Sequence, residues 1–136
     1  MIKPIMKSEF FLRLPSEDAG PDDAATGQDL LDTLHEHEHE CVGLAANMIG
    51  VRKRIICVKD GNRTLLMYNP QILEQVNAYQ TSEGCLSLAG ERPCTRYRRI
   101  KVEYLDENFV HRIKNFSGYT AEIIQHEIDH CCGIVI

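Results

Sequence analysis

Arg99-Ile100-Lys101-Val102-Glu103-Tyr104-Leu105 alternates charged and apolar side chains, and Gln125-His126-Glu127-Ile128-Asp129-His130 lies in a stretch whose apolar residues recur at helical spacing. The first pattern has period two, that of a strand with one buried face. The second puts Ala121, Ile124 and Ile128 on related positions of a helix over residues 119–131, with Gly133 as its stop. A sharply alternating strand followed by an amphipathic helix near the chain's end is the pairing on which the fold class turns.

Downstream of the strand, Asp106-Glu107-Asn108 predicts a turn into a partner strand over residues 109–113. Upstream, Ile55-Ile56-Cys57-Val58 is short and β-branched, a buried strand. Residues 64–68 read as a second strand closed by Asn69-Pro70, and residues 71–79 as a third. Leu30, Leu31 and Leu34 predict a helix over residues 27–39, opened by Thr26 and Asp29 in a shortened capping box. Residues 16–23 are dense in turn formers and read as a loop. There is no repeat and no low-complexity linker. The order helix, strands, helix predicts an α+β domain over residues 1–136, with mainly antiparallel sheets packed around the C-terminal helix.

Composition narrows the function classes. The 136 residues are 43% hydrophobic and 26% charged, an ordinary globular balance. A chain of this length buries roughly two-thirds of its unfolded surface, enough for a core without staples. No apolar run approaches the roughly 18 residues of a membrane helix, so no membrane partner is expected. The net charge of −5 leaves no broad basic surface for a nucleic-acid backbone. Met1-Ile2-Lys3-Pro4-Ile5 lacks the apolar core of a secretory signal, so a cytoplasmic location is expected. There the six cysteines, Cys41, Cys57, Cys85, Cys94, Cys131 and Cys132, stay reduced. Cys57 and Cys94 are expected to be buried thiols, and Cys131 and Cys132 to pack beneath the last helix.

His-Glu-x-x-His occurs twice. Histidines four apart share a helix face about 6 Å apart, so both imidazoles can reach one metal ion, and the intervening glutamate can take a proton from metal-bound water. The first copy, His35-Glu36-His37-Glu38-His39, alternates His and Glu without apolar backing and reads as a solvated helix tail. The second, His126-Glu127-Ile128-Asp129-His130, is surrounded by Ile123, Ile124 and Ile128; it is either a metal-binding pair or a satisfied core histidine pair with a surface glutamate. A catalytic site of this kind needs a third protein ligand and an open position. Cys85 in Glu83-Gly84-Cys85-Leu86-Ser87 offers the ligand; without a histidine pair it would read as a structural thiol. Arg96, Arg98 and Arg99 read as a solvated strand edge that could neutralise Glu83, with Arg96 also a candidate for substrate binding.

Three segments taken together resemble the peptide deformylases: Gly43-Leu44-Ala45-Ala46, Glu83-Gly84-Cys85-Leu86-Ser87, and Gln125-His126-Glu127-Ile128-Asp129-His130. The resemblance spans most of the chain from about residue 28 onward. It implies removal of the formyl group from N-formylmethionyl peptides or nascent chains by attack of metal-bound water. It makes Cys85, His126 and His130 the ligands of one divalent ion, Fe²⁺ by family habit with Zn²⁺, Ni²⁺ or Co²⁺ able to replace it. Glu127 becomes the general base and then acid, and the Leu86 N–H an oxyanion donor. Gly43, Leu44, Met48, Arg96 and Ile123 fall among the substrate-binding positions, with Leu44, Leu86 and Ile123 candidates for a methionine pocket.

Two residues depart from the family pattern. Cys41 stands where glycine is usual, and Met48 where a glutamine amide donates to the developing oxyanion; methionine has no donor. One such donor is worth about 2.7–4 kcal/mol. Two alternatives follow: a weakened or non-catalytic formyl-peptide-binding paralogue, and a hydrolase of another small N-acyl amine. The chain also stops shortly after His130, where many bacterial members continue into a further helix.

Overall fold

A computed structural model describes residues 1–136. Five strands, β1 (Gly43–Ala45), β2 (Ile55–Asp60), β3 (Arg63–Gly84), β4 (Glu91–Leu105) and β5 (His111–Ser117), form one antiparallel sheet in chain order. Three helices accompany it: α1 (Glu9–Leu12), α2 (Ala24–Glu36) and α3 (Gly118–Cys131). The architecture is α+β, as the periodicities predict, with α3 packed against β1, β2 and β4. No helix is long and apolar enough to cross a membrane.

The core lies between the sheet and the helices. Ile55, Ile56, Cys57 and Val58 of β2 are all buried, which is why this strand reads as a continuous apolar run. They meet Leu30 and Leu34 of α2 and Ala121, Ile124 and Ile128 of α3 in one apolar cluster. Each fully buried aliphatic side chain contributes about 1.5–3 kcal/mol. α3 ends as expected at Gly133, whose φ of 76° suits glycine.

Strand boundaries depart most from the sequence reading. Asn69-Pro70 does not end a strand: β3 runs through it for 22 residues. Asn69 adopts a φ of 54°, and the pairing with β4 shifts register between Tyr68 and Gln71. The Asn69 amide is held from outside the sheet, accepting from the Ala19 N–H at 2.7 Å and donating to the Ala19 carbonyl at 2.9 Å. The signal read as a terminus is a bulge that bends one long strand. β4 likewise begins at Glu91, because cross-strand pairing with residues 76–84 holds a polar segment containing Pro93 in extended form. β5 begins at His111 rather than at residue 109. Asp106 accepts from the N–H groups of Asn108 and Val110 at 2.9 and 3.0 Å, and Phe109 stacks on Tyr68 with ring centroids 4.2 Å apart. α2 begins three residues before the expected start, so Thr26 lies inside the helix and caps nothing. Residues 16–23 are loop-like except for a single 3₁₀ turn, Pro21–Asp23.

Candidate active site

β3 ends at Gly84, and Cys85 follows where the chain leaves the sheet. α3 crosses nearby and presents His126 and His130 one turn apart. The Cys85 Sγ and one ring nitrogen from each histidine lie within 4.8 Å of one another, the only such Cys/His/carboxylate group in the molecule. The two Nε2 atoms are 3.0 Å apart. One sulfur and two imidazoles with no fourth protein donor suit a divalent ion that keeps an open position.

The Nδ1 of His126 donates to Glu83 Oε1 at 2.7 Å, which fixes the ring and leaves Nε2 facing the cluster. Arg96 grips the same carboxylate, Nη2 to Oε1 at 2.7 Å and Nε to Oε2 at 3.0 Å, and extends Nη1 to Asp129 Oδ2 at 2.7 Å. Burial disfavours charge on Glu83, but its bonds from His126 and Arg96 hold its carboxyl well below the usual range. Burial likewise opposes charge on His126, yet Cys85, Glu83 and Glu127 push it up to about 10. The Nε2 proton is the one a metal ion would displace. His130 is driven down to about 3 by burial and then by His126. Burial raises Glu127 to about 7 against the opposing charge of His126, a value suited to taking and returning a proton near neutrality. Its Oε1 is buried without a partner.

A cavity of about 870 Å³ opens beside the cluster, and Gly43, Met48, Cys85, Leu86, Ile123 and Glu127 line it. Gly43 is there for space: a Cβ would stand 2.7 Å from Ile123 Cγ2 and 2.9 Å from Glu127 Oε2. Cys41 also faces the cavity, its thiol pushed up to about 12 by burial and by Glu127, so it remains a neutral S–H group directed at the Gly43 carbonyl at 3.6 Å.

Two of the substrate-binding candidates lie away from the cavity. Leu44 is fully buried in the core, because strand alternation turns it from the face Gly43 occupies. Arg96 is only 4% exposed and committed to Glu83 and Asp129, so it braces the site and is not free for a substrate; the neutralising role weighed for the arginine cluster describes it better. The first His-Glu copy trails off α2, with Glu38 and His39 among the residues lining the cavity and His35 exposed, and none of it joins the Cys85 cluster. All six cysteines are unpaired; Cys57 and Cys131 are buried, Cys94 is half-buried and Cys132 exposed. Met48 is buried with its Sδ accepting from the Ala45 N–H at 3.5 Å. Asn47 is turned away, its amide donating to the His130 carbonyl at 2.9 Å, and does not replace the missing glutamine. Gln125 is structural, joined to both the N–H and the carbonyl of Tyr97. The sequence reading missed Lys7, which reaches the cavity from the N-terminal segment and donates to the Leu86 carbonyl at 2.7 Å; no local pattern marks it.

Comparison with known proteins agrees with this layout. The family model described as polypeptide deformylase matches residues 6–136. A peptide deformylase of Clostridium beijerinckii is 52% identical over 136 residues, covering all of both chains. The crystal structure of peptide deformylase from Thermotoga maritima superposes with a TM-score of 0.89 at 28% identity, covering 99% of this chain and 95% of that one. A class I type b peptide deformylase from Acinetobacter baumannii, solved with Met-Ala-Ser bound, gives a TM-score of 0.87 at 27% identity over 99% and 96% of the two chains. The chain, with its sulfur and two imidazoles gathered beside a buried glutamate, belongs to the polypeptide deformylase family.

Proposed function

We propose that this chain removes the formyl group from N-formylmethionyl peptides, with Cys85, His126 and His130 holding the divalent ion the reaction needs. When bound there, the ion, Fe²⁺ in this reading, would supply Lewis acidity to the reaction of water with the formyl group. Glu127 Oε1, buried and without a partner beside the cluster, takes the water's proton and returns it to the departing nitrogen. The water oxygen bonds to the formyl carbon, the C–N bond breaks, and formate and a peptide with a free amino group result. In this reading the Leu86 N–H donates to the developing oxyanion. Leu86, Ile123 and Met48 supply apolar wall for the methionine side chain. Gly43 lets β1 approach α3 closely enough that the small formyl group is admitted beside Glu127 while bulkier acyl groups are refused. The whole acts as one catalytic domain over residues 1–136, working in the cytoplasm on nascent chains.

The observation that carries this reading is the convergence of Cys85, His126 and His130 beside Glu127. The test is anaerobic loading with Fe²⁺ or Ni²⁺ and an assay of formate release from formyl-Met-Ala-Ser, with acetyl-Met-Ala-Ser alongside. Turnover of the formyl peptide, abolished in Glu127→Ala, supports it. No turnover above metal alone sinks it, and preference for the acetyl peptide moves the activity to another N-acyl amine. Met48 favours a second reading, in which the chain binds formyl peptides tightly and turns them over slowly.

A further inference from the structure

We propose that Lys7 tunes the Cys85 sulfur through a single peptide unit. The Lys7 Nζ donates to the Leu86 carbonyl at 2.7 Å, and the N–H of that same peptide, belonging to Ser87, donates to Cys85 Sγ at 3.4 Å. Peptide resonance ties the two ends together, so a cation on the oxygen draws density from the nitrogen and makes its N–H a stronger donor. The lysine charge reaches the sulfur without touching it.

Lys7 is the only lysine or arginine on the cavity wall, where Glu83, Glu91, Glu122 and Glu127 also stand. Its segment is anchored next door: the Met6 N–H donates to the Met48 carbonyl at 2.7 Å, and Ser8 caps α1 through the Phe11 N–H at 3.2 Å. The lysine is therefore set at the Cys85 loop by a main-chain bond on one side of it and a helix cap on the other. Hydrogen bonds to a ligating sulfur tune the metal it holds. A stronger N–H to the sulfur withdraws density from Cys85, so the thiolate donates less and a bound ion keeps more Lewis acidity. That offsets part of what a thiolate ligand costs in acidity and part of what Met48 fails to provide. This inference rests on the reading of Cys85 as a ligand.

The experiment uses the full chain loaded with Co²⁺ and records the near-ultraviolet sulfur-to-cobalt charge-transfer band in native protein, Lys7→Met and Lys7→Arg, with thermal melts confirming that each is folded. Weakening the N–H to sulfur bond raises the sulfur lone pair, so Lys7→Met moves the band to longer wavelength, while Lys7→Arg keeps the native position. A band that stays in place in folded Lys7→Met, or that moves as far in Lys7→Arg, overturns the inference while leaving Cys85 a ligand. No charge-transfer band in native protein overturns both.

Discussion

His126 and Glu83 are joined by a 2.7 Å bond from the imidazole Nδ1 to the carboxylate, between the end of β3 and the middle of α3. The bond decides which ring nitrogen faces the Cys85 cluster. Glu83→Gln keeps the shape and removes the charge. Metal affinity should fall about 10–100-fold, the usual cost of losing such an outer partner, with the fold retained. Competition with a chelator measures it, and unchanged affinity would remove Glu83 from the site.

Arg96 carries a different expectation. Arg96→Met leaves the buried Glu83 without its arginine, and breaking a buried pair in this way costs about 3–5 kcal/mol. Urea unfolding should show that loss. A stable variant whose only defect is a raised KM would restore Arg96 as a substrate ligand.

Met48→Gln returns an amide donor to the cavity wall. The kcat should rise, up to the 10²–10³ or so that one oxyanion donor is worth. An unchanged or lower kcat would show that the Leu86 N–H and the metal already carry the oxyanion.

Gly43→Ala forces a methyl group against Ile123 and Glu127. Overpacking of this kind costs about 1–3 kcal/mol, and here the displaced atoms include the proposed proton carrier. Both Tm and kcat should fall. A full-strength kcat would mean Glu127 has slack that the close approach does not suggest.

Asp106 sets the pH dependence of the β4–β5 turn. The bond from Arg112 Nε at 2.9 Å, and then the Val110 N–H, lower its pKa in the folded chain. The folded state thus holds the proton less tightly than the unfolded state. The stabilisation is complete above about pH 3.9, the ordinary aspartate value, and is lost as pH falls through the lower folded value. Asp106→Asn should therefore be less stable than native protein at neutral pH, and the gap should close in strong acid. A gap independent of pH would assign the effect to shape rather than charge.

Much of the site is legible in the sequence because its chemistry is local. The helix bearing His126, Glu127 and His130 announces itself by period, and Cys85 by the residues beside it. The helix and the alternating strand are read correctly for the same reason: their burial follows from short-range pattern. What stays hidden depends on distant partners. Asn69-Pro70 has a terminator's composition, and only Ala19, far away in sequence, makes it a bend. The role of Arg96 is set by Glu83 across the sheet and Asp129 on α3, and that of Lys7 by a peptide it meets only after folding.

The amide anchors of α3 have an evolutionary consequence. Asn47 grips its last turn and Gln125 fastens its middle to β4, so the helical wall of the cavity cannot slide or tilt without breaking these bonds. Another stretch of the cavity wall, Leu86 to Gly90, belongs to neither strand nor helix. Selection for a roomier acyl pocket would therefore accumulate its changes along that stretch, leaving the helix as the invariant jaw of the vice.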